Sequence, residues 1–134
     1  MLKTSLLIGA AAVLALHGLI HLMGTTVYMQ WSTIEGFPYK TTLLGGRWAL
    51  GASGMRLIGL LWLLAAAGTV IAGVGLLRHA TWVSPVLLTA TLLSLLICTL
   101  DWELAWRGAV IDVVILVLLA VTPRLGAFIP LLRG

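Results

Sequence analysis

Residues 57–77, LIGLLWLLAAAGTVIAGVGLL, decide the fold because this segment contains no charged residue. A helix of about 20 mostly apolar residues is long enough to cross the hydrocarbon core of a bilayer. Leu and Ala dominate the segment, and apolar and polar residues do not alternate in it, which favours a helix over a strand of a membrane barrel. The segment is therefore predicted to be a membrane-spanning helix.

The composition of the whole chain agrees with a lipid environment. Of its 134 residues, 61% are hydrophobic and 9% are charged, and the mean hydropathy is +1.15. An ordinary soluble domain carries about 25% charged residues. These proportions argue against a water-soluble globular protein, and the length fits a single domain over residues 1–134.

Further segments of the chain have the length and composition of membrane-spanning helices. Residues 4–23 and 82–100 are almost wholly apolar, whereas the segment 104–122 is interrupted by Arg107 and Asp112. Together with residues 57–77, they predict an all-α integral membrane protein that forms an antiparallel four-helix bundle. No internal repeat is evident, so an inverted-repeat transporter has no support.

The connections between these helices are unequal in length. Residues 24–56 form the only long one, and Pro38 and the Gly45–Gly46 pair interrupt regular structure there. A connection of that length is uncommon and often functional, and it is predicted to cap the bundle on the outer side. The segment 123–134 contains Pro residues and is too short to span, so it is predicted to lie along the inner interface.

Aromatic residues concentrate at the same predicted outer side as the long connection. Trp and Tyr favour the interface between membrane and water. An interfacial belt is therefore predicted for these residues: Tyr28, Trp31, Trp48, Trp102 and Trp106.

The positive charges bear on topology and on partners. Lys3 and the short Arg78–His79 turn favour a cell-membrane protein with both termini in the cytoplasm. The formal net charge is +4, but Lys and Arg are scattered along the chain without a basic cluster, so no nucleic-acid partner is expected.

Ionisable residues converge at one predicted depth, although they belong to different helices. At 1.5 Å per residue, His21 lies about 3 Å, His17 about 9 Å and Asp112 about 10 Å below the outer ends of their helices. Ionisable groups in hydrocarbon usually face the protein interior and pair with one another. An outward-side pocket or buried polar network is therefore predicted from these residues: His17, His21, Arg56, Asp101 and Asp112.

The pattern leaves several roles open for this set. A structural role would pair Arg56 with Asp112 or Asp101 and register the helices. A metal role would use His17 and His21, which lie one helical turn apart, with Asp112 or Asp101 as a third ligand. The segment HGLIH lacks the glutamate of the HExxH zinc-protease motif, so no general base accompanies the histidines.

Two further roles need fewer residues. A haem requires only one axial imidazole, and Met23 or Met55 would have to supply the second axial ligand because His79 lies at the opposite end of the predicted bundle. An enzyme would use His17 or Asp112 for proton transfer to a lipid-soluble substrate.

Small residues recur on the second predicted helix. Ala65, Thr69 and Gly73 are spaced by four residues, with Gly68 and Ala72 beside them. Small residues at this spacing let membrane helices approach closely. They indicate either packing inside the bundle or a dimer seam.

Four segments carry a resemblance to known proteins. LHGLIHLMG (16–24), EGFPYKTTLLGGRWALG (35–51), GLLWLLAAAG (59–68) and DWELAWRG (101–108) resemble a family of small four-helix bacterial membrane proteins that often bear the automated name ABC transporter permease. A permease needs a cytoplasmic coupling helix, and the predicted inner loop is only RHAT (78–81). The size and the hydropathy profile are also similar to those of DoxX-like proteins.

These observations predict a small integral membrane protein that is either an accessory or scaffold subunit or a binder of a hydrophobic ligand in the outward polar pocket. The alternative is a membrane enzyme, or a metal- or haem-binding protein, that uses His17, His21 and Asp112 on a lipid-soluble substrate. Membrane lipid is the expected partner, with a larger membrane complex or a homo-oligomer as further expectations.

Overall fold

Apart from one short hairpin, the regular structure of the described residues is helical. The computed structural model describes the backbone of residues 2–128 and the side chains of residues 4–122. Its helices are α1 (Leu2–Tyr28), α2 (Gly51–Leu77), α3 (Val83–Leu100) and α4 (Trp102–Phe128). All four are long and apolar enough to cross a membrane.

The helices are longer at some ends than hydropathy predicts. α1 continues to Tyr28 instead of ending near residue 23, and α2 begins at Gly51 instead of residue 57. Both extensions are packed against the rest of the protein: Tyr28 and Met55 are fully buried. Packing stabilises these turns as helix, and a hydropathy average contains no information about packing. The connection is therefore residues 29–50 instead of the predicted 24–56.

The fourth helix also extends past its predicted bounds. α4 begins at Trp102 and runs to Phe128, so residues 123–128 belong to a helix and not to a separate tail. The remainder of the predicted interfacial segment, residues 129–134, lies outside the described residues.

Consecutive helices pack side by side and run antiparallel. Along α1, Gly18 faces Val70 of α2, whereas Gly59 of α2 faces Tyr28 near the end of α1. In the same way Gly108 of α4 faces Cys98 of α3. α1 packs on α2, α2 on α3 and α3 on α4, but α1 and α4 approach each other less closely. A cleft therefore runs between the first and last helices.

The small residues of α2 serve this packing. Ala65, Thr69 and Ala72 are at most 1% exposed. A Cβ atom on Gly73 would lie 3.3 Å from the Ala11 carbonyl oxygen, and one on Gly68 would lie 2.8 Å from the Ala90 Cβ. Packing inside the bundle therefore covers Ala65, Thr69, Ala72 and Gly73 and leaves them no surface for a dimer seam, whereas Gly68 is half-buried.

The connection 29–50 folds over one end of the bundle, which we call the loop end. Its hairpin pairs Thr42–Leu43 with Trp48–Ala49, and the Leu44 N–H donates to the Leu100 carbonyl at the end of α3, over 2.9 Å. Phe37 of the connection packs edge-on against the Trp62 ring, with centroids 6.1 Å apart. The connection is thus tied to the helices directly above the polar residues of the interior.

Candidate functional site

Three ionisable side chains meet in the interior between α1 and α4. His17 and His21 lie one turn apart on α1, a spacing that puts both side chains on one face. Asp112 enters from α4, and its Oδ1 lies 2.8 Å from the His17 Nε2. All three are at most 3% exposed, so the cluster is closed to solvent.

Ser94 of α3 completes the cluster. Its Oγ lies 2.5 Å from the His21 Nε2 and 2.5 Å from the Asp112 Oδ2. Ser94 was not among the predicted site residues, because a hydroxyl in an apolar helix usually bonds to its own backbone and gives little sign of a site. A depth count would have found it: seven residues before Asp101 is about 10 Å, the depth assigned to Asp112.

The hydrogens of this network can be counted. The network contains four contacts, and each needs one hydrogen. Asp112 contacts the His17 Nε2 and the Ser94 hydroxyl. His21 contacts Ser94 through its Nε2 and the His17 carbonyl through its Nδ1. Two neutral imidazoles and one hydroxyl supply three hydrogens, and an ionised carboxylate supplies none. The network is complete only with one additional proton, carried by a histidine or by the Asp112 carboxyl, and this proton also brings its net charge to zero. A neutral cluster is the form that costs least to bury.

Arg56 does not belong to this cluster, contrary to the prediction. The face of α2 that packs into the bundle carries Met55 and Gly59, and Arg56 is rotated about 100° from Met55. Its side chain is exposed and forms no ion pair within the part of the chain that the structure describes. The predicted pairing of Arg56 with Asp112 or Asp101 is therefore wrong.

Asp101 is fully buried but lies in a different cluster, nearer the loop end. The Tyr28 hydroxyl donates to its Oδ2, and the Lys40 Nζ lies 2.6 Å from its Oδ1 and 3.2 Å from the exposed Glu103. Burial raises the pKa of the Asp101 carboxyl, while Lys40 and Tyr28 act in the opposite direction. This cluster ties the connection 29–50 to the junction of α3 and α4.

Of the residues predicted to form the aromatic belt, some lie at the surface and one lies in the interior. Four of its predicted members are exposed: Trp31, Trp48, Trp102 and Trp106. Tyr28 is fully buried instead, because its hydroxyl reaches Asp101. The prediction of an interfacial position for Tyr28 is therefore wrong.

A cavity of about 430 Å³ lies between the histidines and the loop end. Residues of all four helices and of the connection line it, among them His17, His21, Phe37, Trp62, Arg107 and Ile111. The His21 ring packs between its neighbours, 4.5 Å from the His17 ring and 5.1 Å from the Trp62 ring by centroid distance. The imidazoles thus form part of the wall of a mainly apolar cavity.

Two of the wall residues carry buried polar atoms without a partner. Among the described residues, the His17 Nδ1 and the Trp62 Nε1 accept or donate no hydrogen bond. Both side chains line the cavity. A buried polar atom without a partner is costly and uncommon in proteins, and these two atoms are available to form hydrogen bonds with a molecule in the cavity.

The same cluster could hold a metal ion. His17, His21 and Asp112 each offer one ligand atom, and these three atoms lie within 4.8 Å of one another. The His21 Nδ1 contacts the His17 carbonyl over 2.7 Å and must donate to it, which leaves the Nε2 lone pair directed at the cluster. Asp101, the other predicted third ligand, belongs to the Tyr28–Lys40 cluster and is not part of this group.

Searches against known protein families, curated proteins and solved structures found no match for this chain. The resemblance of its segments to small bacterial membrane proteins therefore stays a prediction.

Proposed function

We propose that this chain is a small multi-pass membrane protein that binds a lipid-soluble ligand in the cavity between His17, His21 and the loop end. One observation carries the proposal: a mainly apolar cavity of about 430 Å³ is lined by residues whose buried polar atoms, His17 Nδ1 and Trp62 Nε1, lack partners. Ligand sites are typically apolar cavities with a few convergent polar groups.

A lipid environment gives such a ligand a route to the cavity. Large apolar side chains are exposed on the outer faces of all the helices, for example Leu19, Leu64, Leu92 and Val117, each more than half exposed. The cleft between α1 and α4 opens between such faces. A ligand dissolved in the bilayer can enter sideways through it, with the loop end at the outer membrane surface.

The groups of the cluster favour binding over catalysis. The Cys98 thiol is buried and forms no disulfide with any described residue; its Sγ lies 4.0 Å from the Ser94 hydroxyl, and burial makes a thiol unreactive. The ring nitrogens of His21 and the carboxylate of Asp112 are already bonded within the network. They orient the imidazoles and leave the His17 Nδ1 for the ligand.

Trp62 is the natural reporter for this binding. It is 3% exposed, whereas every other tryptophan is at least 43% exposed. The exposed ones can be replaced by Phe at little structural cost: Trp31, Trp48, Trp82, Trp102 and Trp106. This single-tryptophan variant is reconstituted in proteoliposomes with a single-chain lipid that carries bromine on its hydrocarbon chain. The probe is expected to quench the fluorescence of Trp62 and to reach saturation at mole fractions that are too low to quench a lipid-exposed tryptophan.

A variant that retains only Trp106 is the matched control. Its quenching should rise in proportion to the mole fraction of the probe, without saturation, because Trp106 is 45% exposed. If the emission of Trp62 follows the same linear course, or does not change, the cavity is not a ligand site.

Metal binding is a second candidate function, favoured by the convergence of ligand atoms from His17, His21 and Asp112. Zinc is bound by imidazole and carboxylate ligands, usually four in number, and a fourth position would be left for Ser94 or for a ligand in the cavity. A bound cation would balance the Asp112 charge in place of the additional proton and would replace the His17–Asp112 and His21–Ser94 hydrogen bonds.

We expect the protein, purified in detergent and loaded with Zn²⁺ or Co²⁺, to retain one ion per chain after gel filtration, measured by elemental analysis. His21→Ala should abolish retention, and His17→Ala should do the same. Asp101→Asn changes an equally buried carboxylate outside the cluster, and His79→Gln changes an exposed histidine, so both should retain the ion. Equal retention by all variants, or none by the unaltered protein, would exclude this site.

A further inference from the structure

The cleft between α1 and α4 contains a second cavity, on the other side of the His17–Asp112 pair from the first. Its volume is about 380 Å³. Aliphatic side chains dominate its wall, among them Val13, Leu14, Leu76, Leu87, Ile115 and Leu118. Of the described residues that line it, only Thr122 has a polar side chain, and that hydroxyl already donates to the Leu118 carbonyl.

The two cavities follow one another along the same cleft. On α1, His17 of the first cavity and Leu14 of the second are less than one turn apart, about 5 Å along the axis. On α4, Ile111 and Ile115 are one turn apart and line the first and the second cavity, respectively. The His17–Asp112 contact crosses from α1 to α4 between the two cavities, so a single molecule that occupies both extends past this pair.

The unpartnered atoms specify the polar end of such a molecule. The Trp62 Nε1 is a donor only, so it needs an acceptor. The His17 Nε2 contacts a carboxylate, so the neutral ring carries its hydrogen there and the Nδ1 is an acceptor that needs a donor. A hydroxyl group is both donor and acceptor, and it would also pair with the Nδ1 of a protonated ring.

We infer that the ligand is a hydroxyl-bearing lipid with one hydrocarbon chain, its hydroxyl in the first cavity and its chain in the second. This inference rests on the proposed function and names the chemical class of its ligand. The cleft between two helices provides room for one chain. Arg107, the only Lys or Arg among the described residues of the first cavity wall, holds its guanidinium over the exposed Trp106 ring, 5.3 Å from the centroid. A lipid acid would be drawn there and away from the two unpartnered atoms.

Radiolabelled oleyl alcohol bound to the detergent-purified protein tests the head group by displacement. Unlabelled oleyl alcohol should compete about tenfold better than oleyl methyl ether, which cannot donate a hydrogen bond, and better than oleic acid. Trp62→Phe, which removes the indole N–H but keeps an aromatic ring, should weaken the alcohol and its methyl ether alike, because both oxygens accept a hydrogen bond. Trp106→Phe, at an exposed position outside the cavity wall, should weaken neither.

Occupation of the second cavity by the hydrocarbon chain is tested with a large side chain introduced at an exposed position in its wall. Leu118 is 59% exposed and lines that cavity, whereas its neighbour Val117 is 55% exposed and lines neither cavity. Leu118→Trp is expected to weaken oleyl alcohol about tenfold and to leave hexanol unaffected. Val117→Trp should change neither, and because both positions are exposed, both variants should fold.

The outcomes separate this inference from the proposed function. Equal competition by the alcohol and its methyl ether, stronger competition by oleic acid, or equal effects of Leu118→Trp and Val117→Trp would each overturn the hydroxyl-lipid assignment while the cavity remains a ligand site. Failure of every probe to bind would overturn both.

Discussion

Asp112→Ala is expected to lower the free energy of unfolding by about 3–5 kcal/mol, the usual cost of removing one partner from a buried charged pair. The His17 Nε2 and the Ser94 hydroxyl would lose their acceptors in a site that water does not reach. The measurement is unfolding of the detergent-solubilised protein with increasing SDS, followed by circular dichroism.

Asp112→Asn is the matched comparison, and its expected cost is below about 1 kcal/mol, since the hydrogen bonds are kept. The amide oxygen can accept from His17, and the amide nitrogen can donate to Ser94, which then donates to His21. The amide thus supplies the hydrogen that the carboxylate lacks, and the network is complete and neutral. Equal losses in the Ala and Asn variants would show that the hydrogen count of the network is wrong.

Lys40→Met is expected to cost about 3 kcal/mol at neutral pH, because it leaves the fully buried Asp101 carboxylate without its cation. Unfolding in SDS, as above, measures the loss. Glu103→Gln is the control: it removes the other carboxylate that Lys40 contacts, but this one is exposed, and exposed pairs contribute at most about 1 kcal/mol. Similar losses in both variants would mean that burial does not set the strength of this contact.

The loss in Lys40→Met should depend on pH with a definite sign. Burial raises the pKa of Asp101, and the variant lacks the ammonium that opposes this effect. A group whose pKa is raised by folding stabilises the protein fully below its unfolded-state pKa, and this contribution is lost as the pH rises through the folded-state pKa. The variant should therefore approach the stability of the unaltered protein in acid and fall below it as the pH rises. A difference that does not vary with pH would contradict the assignment to Asp101.

The two buried clusters differ in how far the sequence could reveal them. His17 and His21 are separated by four residues on one helix, so their common face follows from helical geometry alone. Depth counting placed Asp112 at the same level, and the structure brings it to His17. The contacts of Lys40 and Tyr28 with Asp101 could not be predicted in this way, because nothing in the sequence shows how the connection 29–50 folds back onto the end of α3.

The failure at Arg56 has the opposite cause. Its depth was compatible with the cluster, but depth says nothing about rotation around the helix axis. The packing of Met55 and Gly59 against the bundle turns Arg56 outward. A position along a helix can be counted from the sequence, whereas the direction of a side chain depends on which face the neighbouring helices cover.

The sequence by itself determined the four long apolar helices and the shared face of His17 and His21. The free energy of transfer into lipid is a sum over the residues of a segment, and the helical repeat fixes which residues share a face, so both are local properties. The tertiary structure alone decided that Ser94 joins Asp112 to His21 and that Asp101 pairs with Lys40 instead of Arg56. It also decided that α1 and α4 leave cavities on either side of the His17–Asp112 contact. These outcomes depend on contacts between residues far apart in the chain, and such contacts exist only after the helices have been rotated and packed.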